Sequence, residues 1–209
     1  MSERNTLARS LHDLGLAAWF GGSLMGAIGV NGAAADVGDP RQRARVANAG
    51  WGRWTPVNLA AIGMHLLGGF QLVRANRARV EGQQGVGANT VVKTALTGAA
   101  LAATAYSRVL GEKIAKAGDV PTAGGTEPLP QTPPEVAKAQ KQLKALQWII
   151  PGLTGGIVVS SALHGEQQRP GEQLKGFRRG SVTGALVGGS AGADGVGETL
   201  KTAITGSGR

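Results

Sequence analysis

Three histidines, His12, His65 and His164, are the residues of this sequence best suited to coordination chemistry. Imidazole nitrogens ligate zinc, copper or haem iron. Asp13 and Glu166 stand next to two of them in sequence and would add carboxylate oxygens. The chain has no cysteine, so thiolate metal sites, disulfides and a cysteine nucleophile are excluded. No His-x-x-x-His pair, nucleophile–base pair or phosphate-binding Gly-x-x-x-x-Gly-Lys pattern accompanies the histidines. A metal site at His12, His65 and His164 therefore depends on the fold bringing them together. Otherwise His12 and His164 are solvated, and His65 hydrogen-bonds across a helix interface.

The elements that carry these residues are four apolar blocks. Leu14 to Ala35 contains no charge, nor does Pro56 to Val73. A third block runs from Ala88 to Leu110 with Lys93 and Arg108 near its ends, and a fourth from Leu146 to Leu163. A bilayer core about 30 Å thick needs about 20 mainly apolar residues at 1.5 Å rise each. Each block meets that length, with Lys93 and Arg108 long enough to snorkel to the headgroups. A soluble helix bundle is the alternative, but its surface helices would carry a charged outward face. In these blocks Gly, Ala, Leu, Ile and Val go all the way round.

The expected fold is all-α: a polytopic membrane protein with a four-transmembrane-helix bundle, irregular loops and a Gly-rich tail. The spans are about 12–35, 56–73, 90–110 and 146–164, within a membrane domain 1–168. Residues 169–209 form a flexible, basic, Gly-rich tail whose short side chains are too few to bury a core. Residues 1–35 also resemble a signal peptide, with a basic start, an apolar middle and Ala33-Ala34-Ala35. The apolar run exceeds the usual 7–15 residues of such a segment, which favours a retained span. Trp51, Trp54 and Trp148 lie at block edges, where an interfacial aromatic belt would hold them.

Two connections are informative. Asp39-Pro40 opens a basic stretch (Arg41, Arg43, Arg45, Arg53) that reads equally as an interfacial helix or a polar loop. Val120 to Pro134 holds most of the prolines and reads as an extended, poorly ordered connection. Pro133-Pro134-Glu135 then starts a helix, with an acidic residue in its first turn. Pro151 is expected to kink the first turn of span four.

Glycine accounts for 35 of 209 residues, and its placement suggests how the spans pack. Helices in lipid associate through close van der Waals approach, which small residues four apart allow. Gly22 and Gly26 form such a pair in span one, Gly98 and Ala102 in span three, and Gly152 and Gly156 in span four. Ala95, Ala99 and Ala103 repeat the spacing, and Gly63, Gly68 and Gly69 mark span two. The partner is another span of this chain, a second copy or another membrane protein.

Alternating topology constrains the histidines. With four spans, His12 and His164 lie on one side, and span two returns toward that side with His65 about 12 Å deep. Leu11-His12-Asp13-Leu14 followed by Trp19-Phe20-Gly21-Gly22 resembles the opening helix of copper-resistance D-type membrane domains. That resemblance implies a multi-helix membrane protein associated with copper handling, with His12 as a functional residue.

The chain carries 22 Lys+Arg against 13 Asp+Glu, a net charge of +9. Basic flanks beside spans meet anionic lipid headgroups. With aromatics at 4% and no nucleic-acid motif, DNA or RNA partners are not expected. Basic residues divide evenly between the two sides of the spans, so the positive-inside rule does not orient them. The proline-threonine loop suits an external face, which puts both termini in the cytoplasm of a bacterial plasma membrane. The function read from this pattern is a non-enzymatic accessory or scaffold subunit that packs against other membrane proteins or copies of itself. The alternative is a transporter or a metal- or haem-binding membrane protein that uses the three histidines.

Overall fold

The computed structural model describes residues 5–75 and 84–167. The tail 169–209 lies outside the described residues, as do the side chains of His164 and Glu166. By internal contacts the chain divides into two units, Met1–Ala162 and Leu163–Arg209, and the helical bundle is the first of them. The described residues are all-helical, with no strand beyond an isolated antiparallel bridge between Thr122 and Pro128.

Helix α1 spans Thr6–Ala35, interrupted by a π-helical turn over Gly26–Val30. A π turn inserts extra backbone into the helix and re-aims the turns beyond it. Asn31, the first residue after it, is buried. After a short turn, α2 covers Pro40–Ala75. Asp39 starts it as the sequence chemistry dictates: its carboxylate accepts from Arg41 N (3.0 Å) and Gln42 Nε2 (3.2 Å), while Pro40 occupies the position where a missing N–H is harmless. The basic stretch after Asp39 is thus helical and continuous with the apolar block. Pro56 lies inside the helix rather than at its start. In the turn where Pro56 supplies no N–H, Thr55 Oγ1 donates to the Trp51 carbonyl (2.9 Å).

Helix α3 covers Gln84–Lys116 and α4 covers Pro134–Gln167. Helix α4 begins at the expected Pro134-Glu135, so Pro151 sits in mid-helix and not in a first turn. Thr154 Oγ1 donates to the Ile150 carbonyl (2.8 Å) just after it. All four apolar blocks are helical, but each helix outruns its block. Three helical stretches are long and apolar enough to cross a membrane: Thr6–Ala35, Pro40–Ala75 and Pro134–Ala162. Helix α3 is not among them, because its block is built from Ala, Gly and Thr more than from Leu, Ile and Val, and it carries charge at both ends.

Two buried layers hold the helices. Trp19, Ile62, Ala100, Ala103 and Ile150 bring all four helices together, backed by Leu101, Leu146 and Leu153. The Trp19 indole is fully buried and donates to Thr104 Oγ1 (3.3 Å). The second layer joins Ala44, Leu110, Ile114, Val136, Ala139 and Leu143, at the end where α2 and α4 extend beyond their apolar blocks. Outside these layers the apolar windows stay uncovered: between 22% and 28% of each is buried. Leu59, Leu67 and Phe70 on α2 and Val158 and Val159 on α4 all face outward.

The connection from α3 to α4 corrects the expectation of an extended, poorly ordered segment. It opens at Gly118, whose φ of +75° ends α3 in the left-handed conformation that glycine accepts. Thr122, Thr126 and Thr132 are then buried. Gln140, on α4 and fully buried, donates from Nε2 to the carbonyls of Gly124 (3.0 Å) and Gly125 (3.2 Å). Arg43 Nη1 donates to the Ala123 carbonyl (3.1 Å), and Thr122 N to that of Pro40 (3.0 Å). A Cβ on Gly125 would stand 2.6 Å from the Ala47 Cβ, so glycine here allows the loop to lie directly on α2.

Candidate helix-packing seam and histidine pair

Helices α1 and α2 run antiparallel along a seam in which small residues of one meet backbone or a large ring of the other. A Cβ at Gly68 would run into the Ala8 carbonyl and lie 2.5 Å from His12 N. One at Gly15 would run into the Ala61 carbonyl and lie 2.6 Å from His65 N. Farther along, Gly22 receives the Trp54 ring, Gly26 the Trp51 ring, and Gly50 the Val30 side chain. The first two contacts are backbone against backbone, the closest approach that helices make.

The packing residues singled out from sequence separate into two groups. Gly22 and Gly26 lie in this seam, and a Cβ at Gly156 would stand 3.7 Å from Leu96 Cδ1, in ordinary contact. Gly98, Ala102 and Gly152 are exposed, and nothing stands within 4 Å of a Cβ built at Gly98 or Gly152. On α3 it is Ala100 and Ala103 that face the core. Sequence reasoning missed Gly15 and counted Gly68 only as one of several glycines. A signal was present: Ala8, Gly15 and Gly22 on α1, and Ala47, Trp54, Ala61 and Gly68 on α2, recur every seven residues.

The seam also sets the histidines. With Gly15 and Gly68 admitting the opposite backbone, His12 and His65 come together, their ring centroids 4.2 Å apart and their planes tilted by 44°. His65 is buried and its Nδ1–H donates to the His12 carbonyl (3.2 Å). The Trp19 ring lies 6.2 Å away, edge-on. His12 Nδ1 is 3.0 Å from Asp13 Oδ1. Both rings are thus oriented through Nδ1, which leaves each Nε2 without a partner among the described residues. No cluster of three or more His, Asp or Glu that could hold a metal ion occurs among those residues. The side chain of His164, the third candidate, lies outside the described residues.

Trp51 and Trp54, expected at an interfacial belt, pack against α1. Trp51 Nε1 donates to Asn31 Oδ1 (3.1 Å), and Asn31 Nδ2 donates in turn to Gln147 Oε1 on α4. This buried amide pair ties three helices just beyond the π turn, and it was not legible as a site. The Trp54 Nε1 is buried and has no acceptor among the described residues. Trp148 is exposed. No family model, curated protein or solved structure matches the chain.

Proposed function

We propose that this chain is a four-span protein of a bacterial plasma membrane, with both termini cytoplasmic, that serves as a non-enzymatic accessory subunit packing against other membrane proteins. The observation that carries the reading is the uncovered small-residue face of α3. Ala95, Gly98, Ala99, Ala102 and Ala105 are exposed at helical spacing, a surface a second helix can approach closely. The apolar surface of the other three helices suits lipid, and α3, the one without an apolar window long enough to cross a membrane, gains most from a protein neighbour. Anionic lipid headgroups would meet the basic ends of the helices.

The test is gentle detergent extraction of tagged protein and identification of what co-purifies, for the native chain and for a Gly98→Leu/Ala102→Leu double variant. Open space at Gly98 means that the variant should fold. It should retain its partner, or a second copy, about tenfold less well. A native protein recovered only as a lone monomer would refute the accessory role.

The paired histidines favour one alternative, a metal- or haem-binding or transporting membrane protein. An Nδ1–H held by a backbone carbonyl or a carboxylate is the arrangement that points imidazole Nε2 at a metal; His65 has the first, from His12, and His12 the second, from Asp13. His164 and the copper-handling resemblance of the first helix belong to this reading. Metal analysis and an absorption spectrum of the purified protein distinguish the two. Stoichiometric metal or a Soret band that disappears in His65→Ala supports the alternative, and metal content unchanged by that substitution removes it.

A further inference from the structure

Between α1 and α2, on the outer side of the seam, lies an open cleft of about 240 Å³. Its walls are Met25 and Val30 of α1, Trp51 and Trp54 of α2, and glycines of both helices, with Arg53 at the edge. That volume is below the roughly 300–1,000 Å³ of sites for whole small molecules, and apart from Arg53 the lining is apolar. Glycines shape the cleft: Gly22 and Gly26 let the Trp54 and Trp51 rings lie close against α1, and the open space runs over those rings.

The height of Arg53 follows from the packing. The hydrogen bond from Trp19 to Thr104 puts those residues at one level. Arg108 is one turn beyond Thr104 on α3. The Trp54 ring rests on Gly22, about one turn beyond Trp19 on α1. Ala44 and Leu110 meet farther along in the same direction, so Arg53 and Arg108 stand at the same end and at similar height. Arg53 is also three residues from the charge-free run that begins at Pro56. The two arginines differ in their partners. Arg108 Nε pairs with Glu112 Oε1 at 3.3 Å, whereas Arg53 is exposed and has no acidic partner among the described residues. An arginine at the edge of hydrocarbon without a counter-ion attracts a phosphate, which its planar fork binds bidentately.

We infer that this cleft is a binding site for an anionic phospholipid of the surrounding bilayer, with one acyl chain laid along the Trp rings against Met25 and Val30 and the phosphate on Arg53. The inference rests on the membrane reading above. It supplies the counter-charge that Arg53 lacks. The neutral lining accepts a hydrocarbon tail, and basic pockets between helices are known to select acidic headgroups.

The full chain is reconstituted in nanodiscs of equal phosphatidylcholine and phosphatidylglycerol, and the lipid retained after release from the disc is read by native mass spectrometry. The native protein should keep phosphatidylglycerol over phosphatidylcholine. Arg53→Gln should lower that ratio about fivefold, the share of one basic residue at an anionic surface. Arg108→Gln, whose arginine is already neutralised by Glu112, should leave it unchanged. Equal retention of both lipids by the native chain, or equal losses in the two variants, overturns the site. Release of the native protein from membranes by alkaline carbonate overturns the membrane reading instead, so the two failures are separately visible.

Discussion

Gly15→Leu and Gly68→Leu should each break the pairing of α1 with α2, whereas Gly21→Leu should leave it intact. At Gly15 the first added carbon meets the Ala61 carbonyl and the His65 amide, and at Gly68 it meets the Ala8 carbonyl and the His12 amide. Backbone cannot step aside as a flexible side chain can, so the helices must separate along the seam. Overpacking of side chains alone costs about 1–3 kcal/mol, and here the interface that opens is the extensive one between consecutive helices. Gly21 has open space around it, so a leucine there tests the effect of added bulk without the clash. Thermal melting of the detergent-solubilised variants, followed by size-exclusion profile, is the measurement. Equal melting temperatures for Gly15→Leu and Gly21→Leu would show that the seam is not the critical interface. The histidine pair gives a second readout, since separating the helices also parts His12 from His65.

The second large effect is expected at Gln140. Its amide is the donor for two loop carbonyls, Gly124 and Gly125, and it is fully buried. Gln140→Ala removes both hydrogen bonds and leaves two acceptors without a donor. A buried polar group left unpaired is worth about 1–3 kcal/mol. The loss should appear locally, as faster amide hydrogen exchange across residues 117–133, while α1 and the Trp19 layer keep their protection. Arg43, through the Ala123 carbonyl, would still hold the loop at one point. Unchanged exchange in that segment would mean that the threonines and Arg43 order it without the glutamine. By contrast, Gln142 is exposed and receives only a hydrogen bond from Tyr106 (3.3 Å), so Gln142→Ala should change nothing measurable in the loop.

The helices were legible in the sequence because their signal is local. Long charge-free runs, Asp39-Pro40 and Pro134-Glu135 mark where helices lie and where two of them begin. Their extents were less legible. Pro56 reads as a boundary when its missing N–H is considered alone, yet the Thr55 hydroxyl and packing against α1 carry the helix through it. The order of the Val120–Pro134 segment was hidden for a different reason. Its Gly, Pro and Thr have no local preference for one conformation, and what holds them is Gln140, many residues later, and Arg43, many earlier. Likewise, Gly22 and Gly26 stand out by four-residue spacing, but the closest approach is at Gly15 and Gly68, whose importance depends on the register between two helices. The count of membrane-crossing helices is a similar case. Leu, Ile and Val make α1, α2 and α4 unambiguous in length and apolarity, whereas α3 relies on alanine and glycine, whose weak hydrophobicity does not distinguish a lipid neighbour from a protein one.

The seam has a consequence for biogenesis. Only the few residues from Asp36 to Asp39 separate its two halves, so the loop that must close before backbone meets backbone is short and its entropy small. A nascent chain has therefore released everything needed for this hairpin before α3 and α4 are synthesised. Arg53 would then enter its surroundings already shielded on one flank by Trp54 against Gly22, as part of an assembled pair and not as a lone charged helix.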